Sequence, residues 1–431
     1  MSANITIQEG GVSRTFNNVD KIKTAKQGSG NQYWVADTTE PSADAGDVTF
    51  YDYDGSVVAS YTKTAFASLT SMPPNPDRTS DGLTAQGWNW TLSDAKTYVA
   101  AYGRLNIGQM YTTTDGKTHV YIHIDDDAPS SRTTFTLHFG QSVANGVKVN
   151  WGDGSSPETY SGTGATGHDH TYSIRGDYEI TLEVISGSLS LTGTVPSDNF
   201  NAIYGLVYGY NAGRIRRIAI GSGVTEIGNY AFYQCYNLRA VAIPNTITSI
   251  AGHTFGYCYR IPYVTIPSGV TSIGSSAFYG CCGLNTLSLP NNLSSIGDYV
   301  FHNCYNLSNV TLPSGVKSIA GYTFNNCNCL LHVTIPSGVI SVGNSAFNGC
   351  YSLTSVTIPS AVTSMDNRAF YACYYMTEYH IKPTTPPTIG TNVFYRIASD
   401  CKIYVPSASV NTYKAASEWS TYASQIYADP T

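Results

Sequence analysis

The sequence predicts a mixed α+β chain with three parts: an N-terminal α+β region, a small β-sandwich, and a C-terminal solenoid with a 23-residue period. Three observations carry this. Cys235, Cys258, Cys281, Cys304, Cys327, Cys350 and Cys373 stand at a constant interval of 23 residues, and Phe232, Phe255, Phe278, Phe301, Phe324, Phe347 and Phe370 keep the same period. Pro244, Pro267, Pro290, Pro313, Pro336 and Pro359 repeat with them, and a fixed period of this size marks a stack of units that bury their apolar faces only against neighbours. Short alternating strands precede the stack, and a hairpin and a helix precede those.

At 431 residues the chain is too long for one ordinary core. Its net charge of −6 gives no electrostatic footprint for nucleic acid or an anionic membrane. Charged residues are only 12%, against roughly 25% in an average protein, so polarity comes from Ser, Thr, Asn, Gly and 34 tyrosines. No apolar run is long enough to span a bilayer. Met1–Gly10 lacks the basic and apolar regions of a secretory signal, which predicts release by lysis or assembly into a virion.

Residues 1–117 read as the N-terminal α+β region. Val48–Tyr53 and Ser56–Thr62 flank Asp54-Gly55, a two-residue hairpin signal. After Pro73, Pro74 and Pro76, Ser93–Tyr102 reads as a short helix capped by Ser93 or Asp94. Residues 118–198 read as the sandwich. His119–Ile124, Thr133–Phe139 and Val147–Trp151 alternate like strands, Trp151-Gly152-Asp153-Gly154 closes one of them, and His170-Thr171-Tyr172 leads into Ile180–Val184. This order of motifs resembles the PKD family of immunoglobulin-like domains, and the resemblance implies a spacer or carbohydrate-proximal module. Asp125, Asp126 and Asp127 with Asp153 and Asp169 are carboxylates that suit calcium, though turn residues accepting backbone hydrogen bonds account for them equally and are the preferred reading. His168 and His170 read as structural.

Residues 199–386 read as the solenoid, and 387–431 as a degraded rung, carrying Phe394 and Ile403–Pro406, closed by an amphipathic helix over 407–419. The unit runs I-G-x-x-A-F-x-x-C-x-x-L-x-x-V-x-I-P-S-G-V-T-S. This resembles the BspA-like (Treponema-type) leucine-rich repeats, whose implied role is adhesion or protein recognition at surfaces. The periodic cysteines read as a ladder of small buried side chains rather than disulfides or a zinc site, because equivalent side chains in a stack point in parallel and no ligand spacing recurs. Cys282 and Cys329 fall in slots that look exposed.

Comparison of the repeats separates constant frame slots from variable ones. The variable slots supply the candidate ligand-binding residues: Tyr233, Tyr236, Asn237, Tyr257, Tyr259, Arg260, Tyr279, His302, Asn303, Tyr305, Asn306, Asn325, Asn328, Asn348, Tyr351, Tyr371, Tyr374 and Tyr375. Periodicity places them outside, yet Lys and Glu are nearly absent, which is unusual for a merely solvated face. Tyr with Ser, Gly, Asn and Arg is the composition of a paratope. Almost all these residue types arise by changing only the adenines of an Asn codon. The pattern resembles targets of diversity-generating retroelements, with duplication and drift of a Tyr- and Asn-rich repeat as the alternative.

The expectation is a non-enzymatic recognition protein without metal or cofactor, since paired carboxylates, a nucleophile elbow and a phosphate loop with its Lys are all missing from the motifs. The expected partner is a host cell-surface protein or glycan, with no nucleic acid and no membrane insertion. The N-terminal region resembles attachment segments of phage tail proteins, which implies contacts with other virion tail proteins and a receptor-binding role at a tail tip. A bacterial surface adhesin is the alternative, and a spacer without ligand the second. A homo-oligomer is compatible with each.

Overall fold

The structure is a computed structural model that describes residues 47–124, 133–191, 206 and 209–430, together with the backbone of four strands nearer the N-terminus. Those strands form two antiparallel hairpins, Ala3–Glu9 with Val12–Val19 and Ile22–Gly28 with Asn31–Ala36. The chain is dominated by β-structure: among the described residues the α-helices are Lys63–Ala67, Leu92–Tyr102 and Val410–Ala415. The mixed α+β expectation therefore overstates the helix, because each short rung leaves room only for extended and turn conformations.

Residues 47–117 form a four-stranded sheet in the order Val57–Tyr61, Val48–Tyr51, Leu105–Thr113, Leu83–Trp88. The expected hairpin is present with a wider turn, since Asp52 to Ser56 lie outside the strands and Gly55 N–H closes on Asp52 C=O at 3.0 Å. The helix Leu92–Tyr102 is capped by Thr91, whose hydroxyl accepts from Asp94 N–H at 3.1 Å, and not by Ser93 or Asp94. Its inner face and the sheet bury Phe50, Phe66, Trp88, Trp90, Tyr98 and Ile107 in a small core.

The sandwich is the first layer of the solenoid rather than a separate spacer. Strand Thr118–Ile124 pairs antiparallel with Ile215–Ala219, and Leu189–Leu191 pairs parallel with Val224–Ile227. Both sheets thus run on into repeats, and one hydrophobic core continues from Val120 to Ile426. Inside the sandwich the turn Trp151-Gly152-Asp153-Gly154 has a mechanical basis. Trp151 is buried, the His170 ring stacks on it at 4.8 Å, His170 Nε2 meets Asp153 Oδ2 at 2.7 Å, and Tyr172 donates to Trp151 C=O at 2.9 Å. A side chain at Gly152 would place its Cβ 2.4 Å from Glu179 C=O. The candidate cation-site carboxylates are engaged within the fold: Asp153 also accepts from Ser155, and Asp169 accepts from Thr136 at 2.6 Å. His168 stacks on Tyr160 at 3.7 Å. Asp125, Asp126 and Asp127 lie outside the described residues.

Each rung of the solenoid has three sides. A two-residue strand ends in the frame aliphatic residue, as in Ser272–Ile273; a turn side carries Phe and Cys; and a strand such as Thr286–Ser288 runs to the proline turn. Both strand sides pair parallel with the next rung in register, Ile273 with Ile296 and Thr286 with Asn309. The turn side is bonded too, as Phe232 N–H donates to Thr254 C=O at 2.8 Å and Tyr257 N–H to Tyr279 C=O at 2.7 Å. The stack closes over Phe394 with Trp419 and Tyr413, whose polar ends donate to Pro387 C=O and Pro383 C=O at 2.8 Å. The expected closing helix is broken into Ser407–Ser409, Val410–Ala415 and Trp419–Gln425 segments.

The N-terminal module sits on the strand side. Asn89, buried, donates to Ile266 C=O at 3.1 Å and Ser288 Oγ at 2.9 Å, while its carbonyl accepts from Gly108 N–H at 2.8 Å. Trp90 donates to Leu289 C=O, Tyr98 to Leu312 C=O, and Tyr102 pairs with Ser337. At Gly108 a Cβ would lie 2.4 Å from Thr265 Oγ1, so only glycine permits this approach.

Two outcomes follow. Asn89→Ala leaves Ser288 and the Gly108 N–H short of a partner in a dry interface and should cost about 2–3 kcal/mol; the thermal midpoint of the full chain falls and amide exchange over residues 286–289 rises, whereas unchanged exchange there would contradict the clamp. Desolvation works against Asp153, but the hydrogen bonds from Ser155 and His170 outweigh it and hold the carboxyl at about 2, below its ordinary 3.8. Its contribution is therefore full above pH 3.8 and disappears as pH falls toward 2. In Asp153→Asn the stability profile between those pH values should flatten relative to the parent; an identical slope would remove Asp153 from the balance.

Candidate recognition face

The turn side is built on a buried ladder of alternating carbon and sulfur. Successive phenylalanines stack ring on ring, 5.2 Å apart for Phe232 and Phe255 and 5.0 Å for Phe347 and Phe370. From Cys258 to Cys373 each periodic thiol donates to the carbonyl of the phenylalanine one rung back, Cys304 to Phe278 and Cys327 to Phe301, both at 3.2 Å. Burial pushes these thiols up, so they stay protonated and able to donate. All ten cysteines are free. The expectation that Cys329 is exposed fails: it is buried, and its thiol is pushed up to about 11, because the turn folds the slot beneath Tyr305 C=O. Cys282 is half-buried, with its thiol 3.3 Å from Gly280 C=O.

The variable slots line the outer side of this ladder. Arg260 and Tyr375 are exposed. Tyr233, Tyr236, Asn237, Tyr257, Tyr259, Tyr279, His302, Tyr305, Asn306, Asn328, Asn348, Tyr351, Tyr371 and Tyr374 are half-buried against one another. Asn303 and Asn325 are buried, contrary to the periodicity argument, since a rung tight enough to bond its neighbour covers short side chains beside the cysteine. Asn303 Oδ1 instead accepts from Asn326 at 2.9 Å and ties two rungs together. Asn237 is also partly structural, donating to Gly213 C=O at 2.7 Å.

Aromatic rings in equivalent slots meet across rungs. Tyr236 stacks on Tyr259 at 5.5 Å, Tyr279 on His302 at 4.8 Å and Tyr351 on Tyr374 at 5.3 Å. Two glycines act as seats, because a Cβ at Gly256 or Gly280 would come within 2.9 Å of the Tyr233 or Tyr257 ring. Burial lowers His302 to about 4, so the imidazole is neutral and the row carries little charge at neutral pH. Arg368 and Arg396 lie over the Tyr371 ring at 5.9 and 5.8 Å, adding positive charge at the far end.

Sequence comparison missed a row. Three residues after the frame aliphatic stand Tyr230, His253, Tyr299, Tyr322 and Arg368, and Tyr299 is 37% exposed. Tyr230 stacks on His253 at 4.6 Å and Tyr299 on Tyr322 at 4.5 Å. Every residue in this slot has positive φ, as does every residue just before the periodic cysteine, including Tyr257 at 60°. Of the sixteen such positions in eight rungs, only Gly280 and Gly349 are glycine. A non-glycine residue there costs roughly 1–2 kcal/mol. The signal that would have found the row is the recurrence of Ser276, Ser345 and Asn392 among its members.

The strand side that carries Thr286–Ser288 is covered by the N-terminal module from Arg217 to Ser337, and the module leaves the turn side open along the same rungs. Among the described residues no group of three His, Cys, Asp or Glu could hold a metal ion, and no helix is long and apolar enough to cross a membrane.

Comparison with known proteins agrees with the repeat reading. The BspA type leucine rich repeat region family matches residues 207–330 and 294–417, in six copies. Among solved structures, the chain is similar to a leucine-rich repeat protein from Bacteroides ovatus, 24% identical over 46% of this chain and 63% of that one, with a TM-score of 0.34. It is also similar to the leucine-rich repeat protein of T. pallidum, 25% identical over 49% of this chain and 89% of that one, with a TM-score of 0.35. A leucine rich cell surface protein from Faecalibacterium prausnitzii is 17% identical over 56% of this chain and 90% of that one, with a TM-score of 0.21. No curated protein matches. The solenoid over residues 207–417 matches the BspA type leucine-rich repeat region.

Proposed function

We propose that this is a non-enzymatic recognition protein that binds a cell-surface protein or glycan through the Tyr-rich turn side of its repeats. The supporting observation is a sparsely charged face of half-buried Tyr, His and Asn side chains, held by a frame bonded rung to rung, on a side that the N-terminal module leaves open. Rings already packed against one another lose little freedom on binding and present large, fixed contact area. Strands Thr118–Ile124 and Leu189–Leu191 of the sandwich, PKD-like in this reading, brace the first rung, so that the face is offered as part of a stiff rod. The variable rows are diversified through adenine-rich codons in the same proposal. Display is at a phage tail tip, with the two N-terminal hairpins toward the other tail proteins; display as a bacterial surface adhesin uses the same face and is the alternative.

The test uses the labelled full chain and a panel of gut bacteria. The parent should stain a subset of strains, and the variant carrying Tyr236→Ser, Tyr259→Ser, Tyr305→Ser and Tyr351→Ser should lose that staining at least tenfold while keeping its circular dichroism. Staining that survives the four substitutions would take recognition away from this face.

A further inference from the structure

The positive-φ rows are where the chain keeps side chains that its backbone disfavours. Glycine fits such positions without a clash and asparagine nearly so. The repeats show that the fold accepts both: Gly280, Gly349, Asn303, Asn326 and Asn392 occupy them. Yet Tyr230, Tyr257, Tyr299 and Tyr322 stand in the same slots at φ of 57–60°. A solenoid selected for stability alone would carry Gly or Asn at all of them.

Ring orientation then says what such residues can read. In stacked pairs between equivalent slots, such as Tyr299 and Tyr322 at an interplanar angle of 5°, the ring planes lie across the solenoid axis. Tyr230 and His253 are arranged alike, at 11°. Planes therefore face along the stack, and what points outward is the ring edge with its hydroxyl. A pyranose ring packs on an open aromatic plane, which Tyr230, Tyr299 and Tyr322 do not present outward, while Tyr257 meets Tyr233, Tyr259 and Tyr279 edge to face. Edges and phenol hydroxyls suit the amides, carbonyls and small apolar patches of a protein surface.

We infer that Tyr230, Tyr257, Tyr299 and Tyr322 are specificity-determining residues retained against stability, and that the partner they read is a folded protein surface contacted through ring edges and hydroxyls. This rests on the turn side being the recognition face.

Two variants of the full chain test it, each changing Tyr230, Tyr257, Tyr299 and Tyr322 together, to Asn in one and to Phe in the other. The Asn variant relieves the backbone and should melt several degrees above the parent; a lower melting temperature would overturn the claim of stored strain without need of any cell. On strains that the parent stains, the Asn variant should bind at least tenfold more weakly. The Phe variant, with rings, stacking and strain intact, should melt with the parent and also lose at least tenfold. Parent-like binding by the Phe variant would exclude hydroxyl readout. Protease shaving of the stained cells should abolish binding and periodate oxidation should leave it. Periodate sensitivity with protease resistance would name a glycan and overturn the protein partner while leaving the face in place. Loss with the Ser variant but not with either of these two would keep the face and dismiss these four residues, whereas survival in all three variants would remove the face itself.

Discussion

The structure depends on the strict equivalence of rungs, which lets three kinds of contact repeat in line. The phenylalanine rings stack, each thiol donates to the phenylalanine carbonyl behind it, and the backbone bonds to the next rung on every side. The Cys-to-carbonyl bond spans 26 residues and the stacked rings 23, and the 24-residue step from Phe370 to Phe394 keeps the ring stack at 6.1 Å. Cysteine suits its slot because it is small, prefers burial and still supplies a weak donor. The frame is therefore satisfied from within, and the slots beside it are free to vary.

A stack built this way has two raw ends and three sides, and the rest of the chain closes both ends and one side. The sandwich continues both sheets into the first rungs and so removes the N-terminal end, while Trp419 and Tyr413 cover Phe394 at the other. The N-terminal module closes the strand side through Asn89, Trp90 and Tyr98. The turn side stays open, and it is where positive φ and large aromatic side chains coincide. Placing recognition on a side that neither seals an end nor carries a module lets the ligand-reading residues change without loosening the frame.

Much of the frame was legible because its residues repeat in type as well as place: Phe, Cys and Pro announce the rung without help from tertiary structure. The capping role of the sandwich was not, since the pairing of Thr118–Ile124 with Ile215–Ala219 joins segments far apart in sequence. The Asn89–Ser288 contact, 199 residues apart, was hidden for the same reason. Within the candidate face, the row after the cysteine was readable, but Asn303, Asn325 and Cys329 turned inward because burial there follows side-chain length rather than period. The positive φ of these rows escaped notice, even where Tyr257 and Asn303 were named, since Gly and Asn normally announce that conformation and here Tyr, His and Arg replace them.

Hydroxyl-radical footprinting of the full chain, free and bound to cells that it stains, tests the central claim most directly because tyrosine and histidine rings are themselves the reporters. The account predicts protection of Tyr236, Tyr259, Tyr299 and Tyr351 on binding, with Val57 and Tyr61 of the module and Ile174 of the sandwich reacting as before. Protection of the module or sandwich, with the turn-side tyrosines unchanged, would contradict it and make the repeats a scaffold for a site elsewhere.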